Sequence, residues 1–94
     1  MGWVVYILNC ADDTLYTGIT NDLAKRVALH EQGKGAKYTR GRGPYEVLYR
    51  EVFDTRSQAL RREAAIKSLD RAAKILLARS FPGNLQLTQN NPDT

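Results

Sequence analysis

Two tyrosines ten residues apart, Tyr6 and Tyr16, precede an arginine and a histidine spaced by four, Arg26 and His30, and a later glutamate, Glu63, set among alanines and leucines. Hydrolysis of a phosphodiester needs a base for the attacking water, a cation against the phosphate charge and an oxygen ligand for a hard metal ion. These residue types can fill those roles, so the ordered set points to a small metal-dependent nuclease. Each residue taken singly also has an ordinary reading. A strand tyrosine usually packs, and a histidine near a helix end can be half-buried against a sheet.

Glu63 carries the metal reading furthest. At about 100° per residue it falls between Ala59 and Ile66 on one side and Leu60 on the other, which places its carboxylate on an apolar, inward face. A buried carboxylate without a partner is costly, and ionisable groups held in low dielectric mark functional sites. The alternative is an i, i+4 pair with Lys67, a geometry of exposed helix faces that yields only about 0.3 to 0.5 kcal/mol.

Between the histidine and the glutamate lies Gly33-Lys34-Gly35-Ala36-Lys37-Tyr38-Thr39-Arg40-Gly41-Arg42-Gly43, with four cations, four glycines and no acid. Such a loop can bring backbone N–H groups and cationic side chains to phosphates, with Tyr38 available to stack on a base. A solvated basic loop is the plainer alternative. The net charge of +4 on 94 residues does not choose between them.

The elements that must position these groups follow from periodicity. Trp3 to Asn9 and Leu15 to Thr20 are apolar, β-branched and aromatic runs separated by a turn-like Cys10-Ala11-Asp12-Asp13-Thr14, which predicts a hairpin. A two-residue loop would put Tyr6 and Tyr16 on opposite faces. An odd loop such as Ala11-Asp12-Asp13 pairs Tyr6 with Gly18 and Leu8 with Tyr16, lets both hydroxyls converge, and leaves a gap at Gly18 where a phosphate could approach the backbone. The first strand is apolar on both faces, which suits a central position under helices. Thr20 or Asn21 caps a helix beginning near Asp22 and ending at Gly33, with Leu23, Val27 and His30 on one face and Arg26 at its margin. Tyr45 to Phe53 reads as a third strand. Asp54 or Thr55 caps a helix over 57–68, and Asp70 caps another over 71–79. Residues 1–80 form one domain on this reading, and 81–94 a polar, flexible tail.

Composition bounds the rest. A chain of 94 residues with 43% apolar content suits one small core. One cysteine, Cys10, and one histidine rule out an intramolecular disulfide and a zinc site built from several such side chains, and a reducing, cytoplasmic setting fits. The start lacks the pattern of a signal peptide, and no run approaches the roughly 20 apolar residues of a membrane span.

The chain resembles the GIY-YIG nuclease superfamily. Val4-Val5-Tyr6 stands for the first signature and Tyr16-Thr17-Gly18 for the second, and Arg26-x-x-x-His30 and Glu63 occupy the positions of active-site groups. Tyr16 to Thr20, Gly33 to Arg40 and Arg62-Glu63-x-x-Ile66-Lys67-x-Leu69 are similar to its small stand-alone bacterial branch. The first signature departs from the eponymous triplet in Val4 for glycine and Val5 for isoleucine. The asparagine that several members carry downstream of the glutamate has no counterpart between Glu63 and Asn84.

The resemblance implies an α+β fold with a small antiparallel three-stranded sheet flanked by helices, in the order β-β-α-β-α-α. It also implies one-metal hydrolysis of DNA, with Mg2+ or Mn2+ held by Glu63, waters and a phosphate oxygen. Arg26 would neutralise the phosphate and Tyr6 would take the proton of the attacking water. Tyr16 and His30 would orient water and phosphate. Gly18, Lys34, Lys37, Tyr38, Thr39 and Arg40 are the expected substrate contacts. A domain this small has little surface for reading base edges, so structure-selective or weakly sequence-selective cleavage is expected, on single-stranded or branched DNA among others, by a monomer or weak dimer with no membrane partner. The alternatives are a nucleic-acid-binding module without catalysis, or an accessory subunit using Leu76, Leu77 and Phe81 as contact surface.

Overall fold

Residues 3–9 and 15–20 form the predicted hairpin, β1 (Trp3–Asn9) and β2 (Leu15–Thr20). The computed structural model describes residues 2–80, so the expected tail at 81–94 and Phe81 lie outside the described residues. The hairpin loop closes by Cys10 N donating to Thr14 O at 2.9 Å and Asp13 N to Cys10 O at 2.9 Å, with Asp13 at φ 66°, a left-handed turn conformation that aspartate tolerates. That closure sets an odd loop. Tyr6 therefore pairs with Gly18 and Leu8 with Tyr16.

After β2 the chain enters helix α1 (Leu23–Glu31), whose N-terminus is capped by the Asp22 carboxylate accepting from Lys25 N at 3.1 Å, rather than by Thr20 or Asn21. Thr20 instead braces the cap residue itself, its hydroxyl accepting from Asp22 N. Gly33, at φ +76°, turns the chain out of the helix where a side chain would be strained. The glycine-rich segment then folds around one 3-10 turn, Lys37–Thr39. It leads into β3 (Glu46–Phe53), antiparallel to β1 with a register shift between Ile7 and Leu8.

The sheet order β2-β1-β3 makes β1 central, which is why its residues are apolar on both sides. Helix α2 (Arg56–Lys67) starts with a capping box between Thr55 and Gln58, and α3 (Arg71–Ser80) with Asp70 accepting from Ala73 N at 2.9 Å. Val5, Ile7 and Tyr49 from one face of the sheet pack against Ala59, Ile66 and Ala78 from α2 and α3. The opposite face, carrying Tyr6, Tyr16 and Gly18, meets α1. The α+β fold and its element order are as expected, with each helix boundary within about one or two residues.

The inward face of α2 differs from the sequence expectation. Ala59 and Ile66 are fully buried and the Glu63 side chain is largely inward, but Leu60 is exposed. The helix lies so that Arg62 reaches β3, its Nε donating to Glu51 at 3.1 Å, while Leu60 faces solvent. On α3, Leu76 is exposed whereas Leu77 packs against the core. Among the described residues no helix is long and apolar enough to cross a membrane.

Candidate active site

The register of the hairpin puts Tyr6 and Tyr16 on one face, and the last turn of α1 delivers His30 onto the same spot. The Tyr6 ring centroid lies 6.3 Å from that of Tyr16 and 6.1 Å from that of His30, and Tyr16 and His30 are 5.3 Å apart. Tyr6 and His30 are almost wholly buried, at 1% exposure each, while Tyr16 is half-buried toward the rim. The Tyr6 hydroxyl meets His30 Nε2 at 3.1 Å, and His30 Nδ1 meets Thr39 Oγ1 at 2.7 Å. The three residues come from a strand, a helix and a loop, and no local pattern announces their meeting.

Gly18 is explained by the ring opposite it. A Cβ there would stand 2.7 Å from the Tyr6 hydroxyl, 2.9 Å from its Cζ and 3.0 Å from Cε2 of Tyr16, so the space left by the missing side chain is filled by the phenols themselves. This corrects the expectation that the gap admits a phosphate. Gly35 does the same for the histidine, since a Cβ there would collide with His30 Nδ1.

Electrostatics follow from this burial. Removal from water pushes the Tyr6 phenol far above its ordinary range, with Tyr16 adding to the effect, Arg26 opposing it and Glu63 reinforcing it. His30 is moved down, first by burial and then by the charge of Arg26, so its imidazole is neutral near pH 7. Both Arg26 and Glu63 thus act on the phenol through their charges, which ties α1 and α2 to the tyrosine on β1. Arg26 is half-buried and has no ion-pair partner among the described residues.

Glu63 does have a partner. Lys67 Nζ lies 3.3 Å from its Oε2, the i, i+4 pair that the expected inward placement had set aside. The Glu63 side chain is 17% exposed, and Lys67, one turn on and 53% exposed, reaches it from the solvent side. Among the described residues no three of His, Cys, Asp and Glu cluster as a metal cage. A single carboxylate fits Mg2+ or Mn2+ only in the manner of ions that keep several waters and complete their shell with a substrate phosphate.

In the basic loop, Lys34, Lys37, Tyr38 and Arg40 are at least partly open to solvent. Thr39 is not. It is fully buried, its hydroxyl taken up by His30 and by Ala36 O at 2.9 Å and its carbonyl by the Tyr45 hydroxyl, which removes it from the expected substrate contacts. Arg42, the fourth cation of the loop, is paired with Asp12 and lies 4.9 Å over the Tyr38 ring. Tyr38 stacks on Tyr16 at 6.1 Å and 25°, extending the aromatic cluster to the surface. Beyond it a groove of about 490 Å³ is lined by Asp13, Thr14, Leu15, Tyr38, Arg71 and Lys74. Sequence reasoning missed Tyr45, whose ring is 5.8 Å from that of His30, and the inward role of Thr39; their only advance signal is that one follows the glycine-rich segment and the other lies within it.

The profile of the GIY-YIG catalytic domain matches residues 2–75. A UPF0213 protein of Natronomonas pharaonis is 59% identical over 70 residues, covering 74% of this chain and 82% of its own length. One from Oceanobacillus iheyensis is 58% identical over 73 residues, covering 78% and 85%. The solution NMR structure of a UPF0213 protein from Bacillus halodurans superposes with a TM-score of 0.62 at 40% identity over the whole of both chains, and that of a protein from E. faecalis with 0.61 at 34% identity over 95% and 91%.

Proposed function

The chain belongs to the GIY-YIG family, and from that premise we propose that it is a divalent-metal-dependent endonuclease hydrolysing phosphodiester bonds in DNA. The observation that carries this reading is the convergence of Tyr6, Tyr16 and His30 on one face of the sheet, with the charges of Arg26 and Glu63 both acting on the Tyr6 phenol.

Tyr6 is the base for the attacking water. Its raised pKa keeps the resting phenol protonated, so it can accept a proton from water only as it gives up its own, and the neutral His30 at 3.1 Å is placed to receive it. Tyr16, nearer the rim, orients the water and the phosphate. Arg26 offsets the phosphate charge, and its freedom from ion pairing among the described residues leaves the guanidinium available for that. Glu63 would hold Mg2+ or Mn2+, which when bound supplies Lewis-acid stabilisation of the developing charge on the phosphate oxygens. Lys34, Lys37 and Arg40 attract the backbone, and Tyr38 offers a ring for a base. The shallow site gives structure-selective or weakly sequence-selective cleavage. A cytoplasmic location and a monomer or weak dimer belong to the same proposal.

The test is a panel of labelled single-stranded, nicked, branched and duplex DNA, with RNA as comparison, incubated with Mg2+ or Mn2+. Cleavage that EDTA and Glu63→Gln both abolish supports the enzyme. Binding without turnover on every substrate overturns it in favour of a non-catalytic binding module.

A further inference from the structure

The hydroxyl of Thr39 is fully buried between Nδ1 of His30 at 2.7 Å and the carbonyl of Ala36 at 2.9 Å. A threonine hydroxyl has one proton to give. The carbonyl can only accept, so with that proton on Ala36 O the threonine oxygen must accept from the ring, and Nδ1 must carry the hydrogen. A neutral imidazole protonated at Nδ1 leaves Nε2 bare, and Nε2 is the atom that faces the Tyr6 hydroxyl. Gly35 packs closely against the same ring edge, and the Tyr45 hydroxyl holds the Thr39 carbonyl, so the threonine has little freedom to turn away.

We propose that Thr39 is a positioning residue that sets the tautomer of His30, so that Nε2 can take the proton of Tyr6. This rests on the nuclease reading for its catalytic consequence, though not for the tautomer itself. In the step it serves, water gives a proton to the Tyr6 oxygen as Tyr6 gives its own to Nε2, the water oxygen bonds to phosphorus, and the bond to the leaving oxygen breaks. The leaving oxygen is protonated from solvent. The imidazolium keeps its Nδ1 hydrogen on Thr39 and later releases the Nε2 proton to solvent. With the other tautomer, Nε2–H would donate to the phenol and could receive nothing. The 3-10 turn that holds Thr39 also presents Lys37 and Tyr38, with Arg40 next in the chain, so one short segment both contacts DNA and prepares the base.

His30 is the only histidine in the chain, so its ring nitrogens are assigned without ambiguity by two-bond 1H–15N correlation spectra. The expected result for the unaltered protein near pH 7.5 is the Nδ1–H form. Thr39→Val, which keeps shape and removes the hydroxyl, should shift the ring to Nε2–H or a mixture and slow single-turnover cleavage about 10- to 100-fold, the size of effect known for outer hydrogen-bond partners of metal-bound imidazoles, with DNA affinity unchanged. Thr39→Ser should restore both the tautomer and the rate. An Nε2–H ring in the unaltered protein, a result that needs no variant to fold, overturns the proposal, and so does a Thr39→Val protein with unchanged tautomer and rate. A protein that cleaves no DNA yet shows the Nδ1–H ring lost in Thr39→Val and regained in Thr39→Ser would refute the nuclease reading while sustaining the role of Thr39.

Discussion

The Tyr6 hydroxyl and His30 Nε2 lie 3.1 Å apart in the buried seam between the central strand and the first helix. A phenol that burial keeps protonated is thereby coupled to an imidazole that burial keeps neutral. The first prediction follows from this pair. Tyr6→Phe removes the oxygen and little packing, and should lower the single-turnover rate by roughly 10² to 10⁴, the usual worth of a general base. Tyr16→Phe should cost less, since that ring sits nearer the rim. Rates at saturating enzyme, with circular dichroism as a check on folding, decide it; a Tyr6→Phe protein at full speed would transfer the role to His30.

Glu63 shares its charge with Lys67, and the two substitutions should separate structure from chemistry. Glu63→Gln is expected to abolish metal-dependent cleavage while leaving the fold and DNA affinity intact. Lys67→Ala removes a competitor for the carboxylate and should lower the metal concentration needed for half-maximal rate. If Lys67→Ala raises that concentration instead, the glutamate is not the ligand.

The solvent-facing cations of the loop make a prediction about salt. Lys37→Ala with Arg40→Ala should weaken DNA binding and reduce the slope of log K against log salt by about one for each lost phosphate contact. Titrations by anisotropy across a range of salt concentrations measure it. An unchanged slope would return the loop to a solubilising role.

His30 sets a pH dependence of stability whose sign is fixed by the direction of its shift. Its folded pKa is depressed below the unfolded value of about 6.5, so the unfolded chain binds the extra proton first as pH falls. The contribution of the neutral ring is complete above about pH 6.5 and is lost as pH drops from there through the folded pKa. Urea midpoints should therefore fall between pH 7.5 and 5, and fall less in His30→Gln. Equal losses in both proteins would assign the acid sensitivity to other groups, with the carboxylate of Asp12, held low by its hydrogen bonds from Thr14 and Arg42, next to consider.

Much of this molecule was legible in one dimension because the relevant physics is local. Alternation reduced the placement of Tyr6 and Tyr16 to the length of one turn, since a strand's side chains change sides at every residue, and the observed odd loop puts both on one face. Caps and glycines marked the helices for the same reason. The tertiary structure alone decided what each reactive group touches. Gly18 opens space for a phenol rather than a phosphate, Thr39 turns inward to the histidine, Arg42 is drawn onto Asp12 and Tyr38, and α2 settles with Arg62 on Glu51 and Leu60 in solvent. Those outcomes depend on the path of the chain from Gly33 to Gly43, where four glycines impose no preferred backbone, and on how α2 settles over the sheet. Contacts between residues distant in the chain set both, and no spacing between neighbours encodes them.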